Sequence, residues 1–317
     1  MRFIILRLRR LLLVMFLVSL LTFVLVNWLP GDVAYQKAGM EASKELVQSI
    51  RQELGLDQPV LLRFVKWLGA FVTGDWGRSF LTGEDVREAI LSRFPVSFEL
   101  MILAQLIALG LALPLGIISA TRAGGLADRA IAVFAFFSLS IPSFMGAILL
   151  ITFFSLLLGL LPATDYQPLS AGLWANLRSF ILPALSIALV EWTVLMRVLR
   201  AEMIGVLQEV YILVARAKGL PRWRIIFFHA LRPSLFTMIT ILGLQVGGLL
   251  GGSLIVESIF ALPGVGRLLI QAIYSRDFMI IQGVVTFIAL VYVLVNFLVD
   301  MLYAVLDPRI RMEADHG

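Results

Sequence analysis

Residues 130–164 read AIAVFAFFSLSIPSFMGAILLITFFSLLLGLLPAT, an uncharged run of 35 residues between Arg129 and Asp165. A helix crosses the hydrocarbon core of a bilayer with about 20 apolar residues. The run is long enough for one crossing and too short for two. It predicts one long helix, kinked at Pro142, followed by a tail outside the membrane. The same reading extends in both directions. Uncharged stretches of 21, 22, 24 and 22 residues lie at 11–31, 100–121, 233–256 and 278–299. A further stretch, 179–196, is apolar except for Glu191. Six transmembrane helices are expected, and the fold class is an all-α polytopic membrane protein.

Composition supports this. Of the 317 residues, 60% are hydrophobic and 15% charged, against roughly 25% charged in soluble domains. Mean hydropathy is +0.95. A disordered chain needs low hydrophobicity and high charge, and a soluble domain needs a wetter surface. There is no Cys, and the two His are His229 and His316. Disulfides, thiol nucleophiles and multi-His or Cys-ligated metal sites are thereby excluded. The apolar part of the first span, Leu11 to Leu29, exceeds a signal-peptide core, and Asn27-Trp28-Leu29-Pro30 offers no small-residue cleavage site. The first span is expected to remain as an anchor.

Orientation follows from Lys and Arg. With the N-terminus inside, segments 1–10, 120–129, 197–233 and 304–317 hold 15 of the 26 basic residues, and the two short outside loops hold three. The long outside segment, 30–97, holds the other eight, but long segments cross largely regardless of charge. Both termini are expected in the cytoplasm. The net charge of +5 then reflects topology and contact with membrane lipid. No nucleic-acid partner is expected, because the basic residues are dispersed.

Three regions follow: an N-terminal transmembrane helix (1–29), a periplasmic segment (30–97) and a core of five further spans (98–317). In the periplasmic segment, Glu41 to Leu54 predicts a short amphipathic helix ending at Gly55. Gln58-Pro59 opens a second helix to about Val72, and Gly74-Asp75-Trp76-Gly77 is a turn signal. The segment is too small for an enzyme domain and reads as a cap over the outer mouth. The loop 197–233 is more informative. Met203, Leu207, Val210 and Val214 fall on one helical face from Glu202 onward. That helix stops at Gly219-Leu220-Pro221. A second helix is expected from Arg222 to about Leu231, with Pro233 opening the fifth span. On pattern alone, this helix–turn–helix either lies on lipid headgroups or docks a protein.

Several stretches resemble one family. Tyr211-Ile212-Leu213-Val214-Ala215-Arg216-Ala217-Lys218-Gly219-Leu220, with His229-Ala230-Leu231-Arg232, is similar to the coupling motif of ABC-importer permeases, in the branch that imports peptides and nickel complexes. Leu54-Gly55-Leu56-Asp57-Gln58-Pro59, Gly74-Asp75-Trp76-Gly77-Arg78-Ser79, Arg93-Phe94-Pro95, Glu257-Ser258-Ile259-Phe260, Pro263-Gly264-Val265-Gly266-Arg267, Arg276-Asp277 and Asp307-Pro308-Arg309-Ile310-Arg311 agree in order. One departure stands in the motif: Leu213-Val214-Ala215 occupies the positions that open Glu-Ala-Ala in the family at large.

The resemblance implies a type I importer permease, half of a pathway for di- and oligopeptides. Nickel chelates or glutathione-like solutes are the alternative. It implies a second, different permease subunit, two ATP-binding subunits carrying ATP and Mg, and a periplasmic or lipid-anchored solute-binding protein at a bacterial inner membrane. The outer segment and Ile259 to Asp277 would receive the binding protein. Glu209, Tyr211, Ala215, Arg216, Ala217, Lys218, Gly219 and Leu220 would make the ATPase contact. In that role Gly219 permits the turn, Ala215 and Ala217 allow close approach, and Arg216 and Lys218 make polar contacts at the rim. The chain has no Gly-x-x-x-x-Gly-Lys-Ser/Thr phosphate loop, so ATP hydrolysis would belong to partners and no catalytic residue is expected.

Within the membrane, Gly243, Gly247 and Gly251 share a helix face and predict close packing, inside the chain or against the second permease. Glu191 is a mid-span carboxylate and a candidate for the translocation path, with Gln245 and, more weakly, Asn296. Glu257 and Asp300 fall near span ends, where solvation is the simpler expectation. A self-sufficient secondary transporter would show paired mid-membrane charges and an internal repeat, and a membrane enzyme would show clustered polar groups at one depth. The sequence shows neither pattern.

Overall fold

The computed structural model describes residues 2–28, 33–38, 42–53 and 55–306. The motif at Asp307 to Arg311 and the side chain of Asp300 lie outside the described residues. The elements are α1 (Arg2–Trp28), α2 (Val33–Ala38), α3 (Lys44–Glu53), α4 (Val60–Thr73), α5 (Val86–Thr121), α6 (Leu126–Ser140) and α7 (Ser143–Leu150). A π-helical turn, Ile151–Leu157, extends α7. Then come α8 (Leu173–Leu207), α9 (Val210–Ala217), α10 (Arg222–Arg224), a second π-helical turn (Ile225–Leu231), α11 (Arg232–Gly252), α12 (Leu254–Ile259), α13 (Val265–Ser275) and α14 (Phe278–Leu306). Among the described residues there is no strand, only an isolated bridge between Arg78 and Asp85.

Among the described residues, five helices are long and apolar enough to cross a membrane: Leu11–Trp28, Val86–Thr121, Leu173–Leu207, Arg222–Gly252 and Phe278–Val299. The remaining predicted span is a pair, Leu126–Ser140 and Ser143–Leu157, bent by 99°. The expected kink at Pro142 is therefore a break. The proline ring disfavours the α region for the residue before it, and Ile141 is extended (φ −97°, ψ 114°). The helix restarts on Pro142, whose carbonyl accepts the N–H groups of Met145 and Gly146 at 3.0 Å.

The chain forms two compact units, residues 98–262 and residues 1–97 with 263–317. In the latter, α1 packs along α14, and α13 packs on α14. Aromatic rings form a continuous series: Phe23 on Phe64 (5.5 Å between centroids), Trp67 on Phe71 (5.1 Å), Phe71 stacked on Trp76 (4.7 Å), and Trp76 and Phe94 on Phe287 (5.9 and 5.2 Å). Phe64, Trp67 and Phe71 recur at three and four residues on α4, so one helical face carries the series. Gly74, at φ +94°, caps α4, and its N–H reaches Ala70 and Phe71. The predicted outer helices thus form, and α4 is built into a core with α1. The Ser79 hydroxyl bonds the buried Asp277 carboxylate, and the Gln282 amide bonds the Ser19 carbonyl at 3.0 Å.

In unit 98–262 a core draws on α5, α6, α8 and α11. Ala104, Ala108, Ala112, Gly116 and Ala120 repeat every four residues on α5, and all five are buried. Small residues at this spacing let two helix backbones approach closely. Trp192, Leu195, Met196, Leu199 and Met203 of α8 belong to the same core as Ala108, Ala112 and Ala120. A Cβ added at Gly116 would lie 3.0 Å from Leu199 Cδ2. Three further expectations are corrected here. The predicted helix from Glu202 is two helices: Met203 and Leu207 complete α8, and Val210 and Val214 lie on α9, with extended Glu209 (ψ 147°) between. The fifth span starts at Arg222 and ends at Gly252. Glu257 is fully buried, not solvated, and accepts the Ser253 hydroxyl at 2.9 Å.

Gly116→Leu is expected to overpack this seam and destabilise the fold by about 1–3 kcal/mol. Thermal unfolding in detergent should show a lowered midpoint. Gly110→Leu on the same helix, where an added Cβ meets open space, should unfold near the parent midpoint. Equal midpoints for the two variants would contradict close packing at Gly116.

Candidate coupling surface and intramembrane polar pair

The eight-residue helix α9 stands between two spans and has two faces. Ile212 is fully buried and Ala215 nearly so, packed with Ile225, Leu207 and Leu220. Val210, Tyr211, Leu213 and Val214 are exposed, Val210 at 71% and Leu213 at 55%. Glu209 takes the N-cap position, and its carbonyl accepts the N–H of Ile212 at 3.0 Å. At the other end, Gly219 N–H donates to Arg216 O (2.9 Å) and Leu220 N–H to Ala215 O (3.2 Å). These are the paired bonds of a Schellman turn, which needs a left-handed residue. Gly219 has φ +75°. Leu220 then folds back onto the buried face, and Pro221 prevents continuation.

Of the predicted coupling residues, Glu209, Tyr211, Arg216, Ala217, Lys218 and Gly219 are exposed together. Ala215 faces the chain's own core and Leu220 is half-buried, so these two support the helix from beneath. Leu213 and Val214, which depart from the family motif, are part of the exposed apolar face. A side of α9 that carries Val, Tyr, Leu and Val beside two cations is an exposed apolar patch, the kind of surface by which proteins meet partners or membranes.

Two hydrogen bonds tie α9 and the turn after it to their neighbours. His229 lies in the π-helical turn Ile225–Leu231, four residues before Pro233, which has no N–H to offer its carbonyl. The Tyr211 hydroxyl donates to that carbonyl at 3.3 Å. Burial, and then the charge of Glu209, push the Tyr211 pKa up. Arg222 Nη2 donates to Thr121 O, the last residue of α5, at 3.3 Å. A cleft of about 400 Å³ remains between Thr121, Leu207, Arg216, Leu220, Arg222 and Ile225.

The strongest polar contact in this unit was not anticipated. Asp128, in the first turn of α6, is buried and receives a bidentate pair from Arg200 of α8: Nε to Oδ1 at 2.8 Å and Nη2 to Oδ2 at 2.7 Å. The Ser119 hydroxyl and the Gly124 N–H (2.8 Å) complete its shell. One carboxylate thus joins the end of α5, the following turn, α6 and α8. The available signal was an acid between basic residues after Gly124-Gly125.

The structure brings Glu191 and Gln245 together. Gln245 Nε2 is 3.5 Å from the Glu191 carbonyl oxygen. Glu191 Oε2 and Gln245 Oε1 are buried without hydrogen-bond partners among the described residues. The predicted glycine stripe is divided: Gly243 and Gly247 are buried within the chain, and Gly251 is exposed with open space at its Cβ position. Asn296 Oδ1 is also buried without a partner. Among the described residues no group of three or more metal-ligating side chains occurs.

Comparison with known proteins is consistent along the whole chain. Residues 112–312 match the family described as binding-protein-dependent transport system inner membrane component, and residues 1–101 match the corresponding N-terminal family. A Brucella abortus protein, named as a permease of a peptide transport system, is 41% identical over 95% of this chain and 96% of its own length. A Sinorhizobium fredii protein, named as a peptide ABC transporter permease, is 35% identical over 94% and 95%. The glutathione transport system permease protein of Escherichia coli is 38% identical over 94% of each chain.

Asp128→Asn is expected to destabilise the chain by about 1–3 kcal/mol. That is below the 3–5 kcal/mol typical of a fully buried pair, because the Arg200 side chain is 35% exposed. The exchange Asp128→Arg with Arg200→Asp should not rescue it, because the Ser119 and Gly124 donors then face a cation. Rescue by the exchange, read by thermal unfolding, would reduce the cluster to a simple charge pair.

Proposed function

Since the chain belongs to the binding-protein-dependent transport system inner membrane components, a multi-pass permease of the ABC class without an ATPase site of its own, we propose that it forms half of a pathway importing short peptides. The peptide assignment rests on the names of its relatives. Two are assigned to peptides and one to glutathione, itself a tripeptide, so the shared chemistry is a small zwitterion with amide bonds. Glutathione-like solutes and nickel chelates are the alternatives within the same machinery.

The observation that carries the mechanism is the exposed apolar face of α9 beyond the end of a span. In the proposed complex this face seats in a groove on one of two ATP-binding subunits, which hold ATP and Mg. Arg216 and Lys218 meet polar groups at the groove's rim, and Ala217 and Gly219 permit close approach. A second, different permease completes the pathway, and a periplasmic or lipid-anchored binding protein delivers the solute. Motion of α9 passes into α5 through Arg222 and into α8 through the shared core at Leu207. Glu191 and Gln245 are proposed to line the path, where their unpartnered oxygens can accept hydrogen bonds from a passing ammonium or amide. The membrane is the bacterial inner membrane, with both termini cytoplasmic.

Two outcomes are expected. Leu213→Glu should insert normally yet co-purify with its ATP-binding partners at least about tenfold less well, the loss of one interface hot spot. Gly219→Val should leave the chain inserted, because its side chain meets open space. It should still lower ATP-driven uptake by roughly tenfold, through left-handed strain of about 1–2 kcal/mol and bulk at the contact. Normal uptake in both variants would remove α9 from the coupling path. The substrate is tested by measuring uptake of labelled dipeptides, oligopeptides and glutathione in a strain lacking this chain. Unchanged peptide uptake with lost glutathione or nickel uptake would replace the peptide assignment.

A further inference from the structure

A cavity of about 230 Å³ lies in the unit formed by 1–97 and 263–317, lined by residues that include Arg51, Arg63, Trp67 and Gln282. Its walls place it at one depth. Phe23, Val26 and Asn27 belong to the last two turns of α1, where the span Leu11–Trp28 ends, and Phe278, Met279 and Gln282 belong to the opening turns of α14, where the span Phe278–Val299 begins. The cavity therefore sits where hydrocarbon gives way to headgroups. Trp28, a residue type favoured at that level, is exposed one position beyond Asn27.

Among the described residues the lining includes Arg51 and Arg63 and no carboxylate, and Arg63 is the cation on which the chemistry turns. Arg63 is half-buried, yet its hydrogen-bond partner among the described residues is the neutral Asn27, Nη1 to Oδ1 at 2.9 Å, and its other neighbour is the Phe23 ring at 5.8 Å. A cation withdrawn from water beside an amide and an aromatic face lacks the anion that ordinarily offsets its burial. Burial alone also lowers the Arg63 pKa. Trp67 is 8% exposed, and its Nε1–H is buried without an acceptor. Buried polar groups left unpaired are rare enough to call for a ligand. Apart from Asn27 and Gln282, the remaining wall is apolar and includes Phe23, Val26, Phe80 and Phe278, which suits aliphatic carbon and not a fully hydrated ion.

We propose that this cavity binds the phosphate group of an anionic membrane lipid, with Arg63 as its counter-charge, the Trp67 N–H as a second donor, and the aromatic wall against the first carbons of an acyl chain. Basic pockets between transmembrane helices hold acidic headgroups by the same chemistry. The lipid would tie α4 to the ends of α1 and α14, and so fix the outer segment on the spans that carry it.

The test uses the assembled importer, purified in mild detergent and placed in bilayer discs of phosphatidylcholine with or without phosphatidylglycerol. Native mass spectrometry counts retained lipid, and thermal unfolding reads its effect. Retention of phosphatidylglycerol over phosphatidylcholine is expected, with a raised midpoint. Arg63→Gln should weaken retention by about tenfold, the loss of one charge-assisted hydrogen bond, and Arg63→Lys should recover part of it. Trp67→Phe keeps the ring and removes only the donor, so it reads the site even if Arg63→Gln fails to assemble, and about a threefold loss is expected. Equal retention of both lipids, or unchanged retention in the Arg63→Gln and Trp67→Phe variants, would overturn the proposal. A midpoint raised equally by inorganic phosphate would assign the site to a free anion and overturn the lipid.

Discussion

An unpaired backbone amide in hydrocarbon costs several kcal/mol, and most of this chain's architecture follows from avoiding that cost. The described residues are almost entirely helical, and each interruption supplies substitute bonds. After Pro142, the proline carbonyl itself starts the next helix. At the end of α9, Gly219 turns left-handed so that its own N–H and that of Leu220 reach back to Arg216 and Ala215. Four residues before Pro233, the His229 carbonyl accepts the Tyr211 hydroxyl. Where α11 stops at Gly252, the Ser253 N–H bonds Leu249 and its hydroxyl bonds Glu257.

This constraint also explains what could be read from sequence. Span positions were legible because they depend on uncharged length, which survives any uncertainty about packing. Pro142 was visible, but its consequence depends on the backbone of Ile141, and the extended conformation there makes a right-angle break in place of a kink. The helix from Glu202 was misread because Met203, Leu207, Val210 and Val214 keep helical period across Gln208-Glu209, and no glycine or proline marks the break. The faces that meet proved less legible still. Glycine drew attention to Gly243, Gly247 and Gly251, yet the longer small-residue stripe is Ala104, Ala108, Ala112, Gly116 and Ala120, hidden because alanine is common in any apolar run. Asp128 stands beside Arg129, the residue that bounds the 35-residue run, and its role emerges only once Arg200, 72 positions away, is brought to it.

The candidate site shows a similar division. The motif located α9 and its left-handed glycine, but not which side of the helix is free. Ile212 and Ala215 face inward, so the presented surface is Val210, Tyr211, Leu213 and Val214, including the two positions where the family motif is not followed. With α10, which follows the turn at the end of α9, tied to α5 by Arg222 and the ends of α5, α6 and α8 tied by Asp128, a push on the exposed face meets a braced assembly of helix ends. Such bracing is what transmission into the membrane requires, since packed helices shift as units more readily than they deform.

The claim that α9 is the point of coupling can be tested directly, because the chain has no Cys and every introduced thiol is unique. Single Cys substitutions at Leu213, Val214 and Ile212 would be treated with a short thiol-to-amine cross-linker in native membranes, with and without ATP. Adducts between Leu213→Cys or Val214→Cys and an ATP-binding subunit, changing in yield with ATP and absent from Ile212→Cys, are the predicted result. No adduct from the exposed positions, or equal adducts from the buried one, would contradict docking through this face.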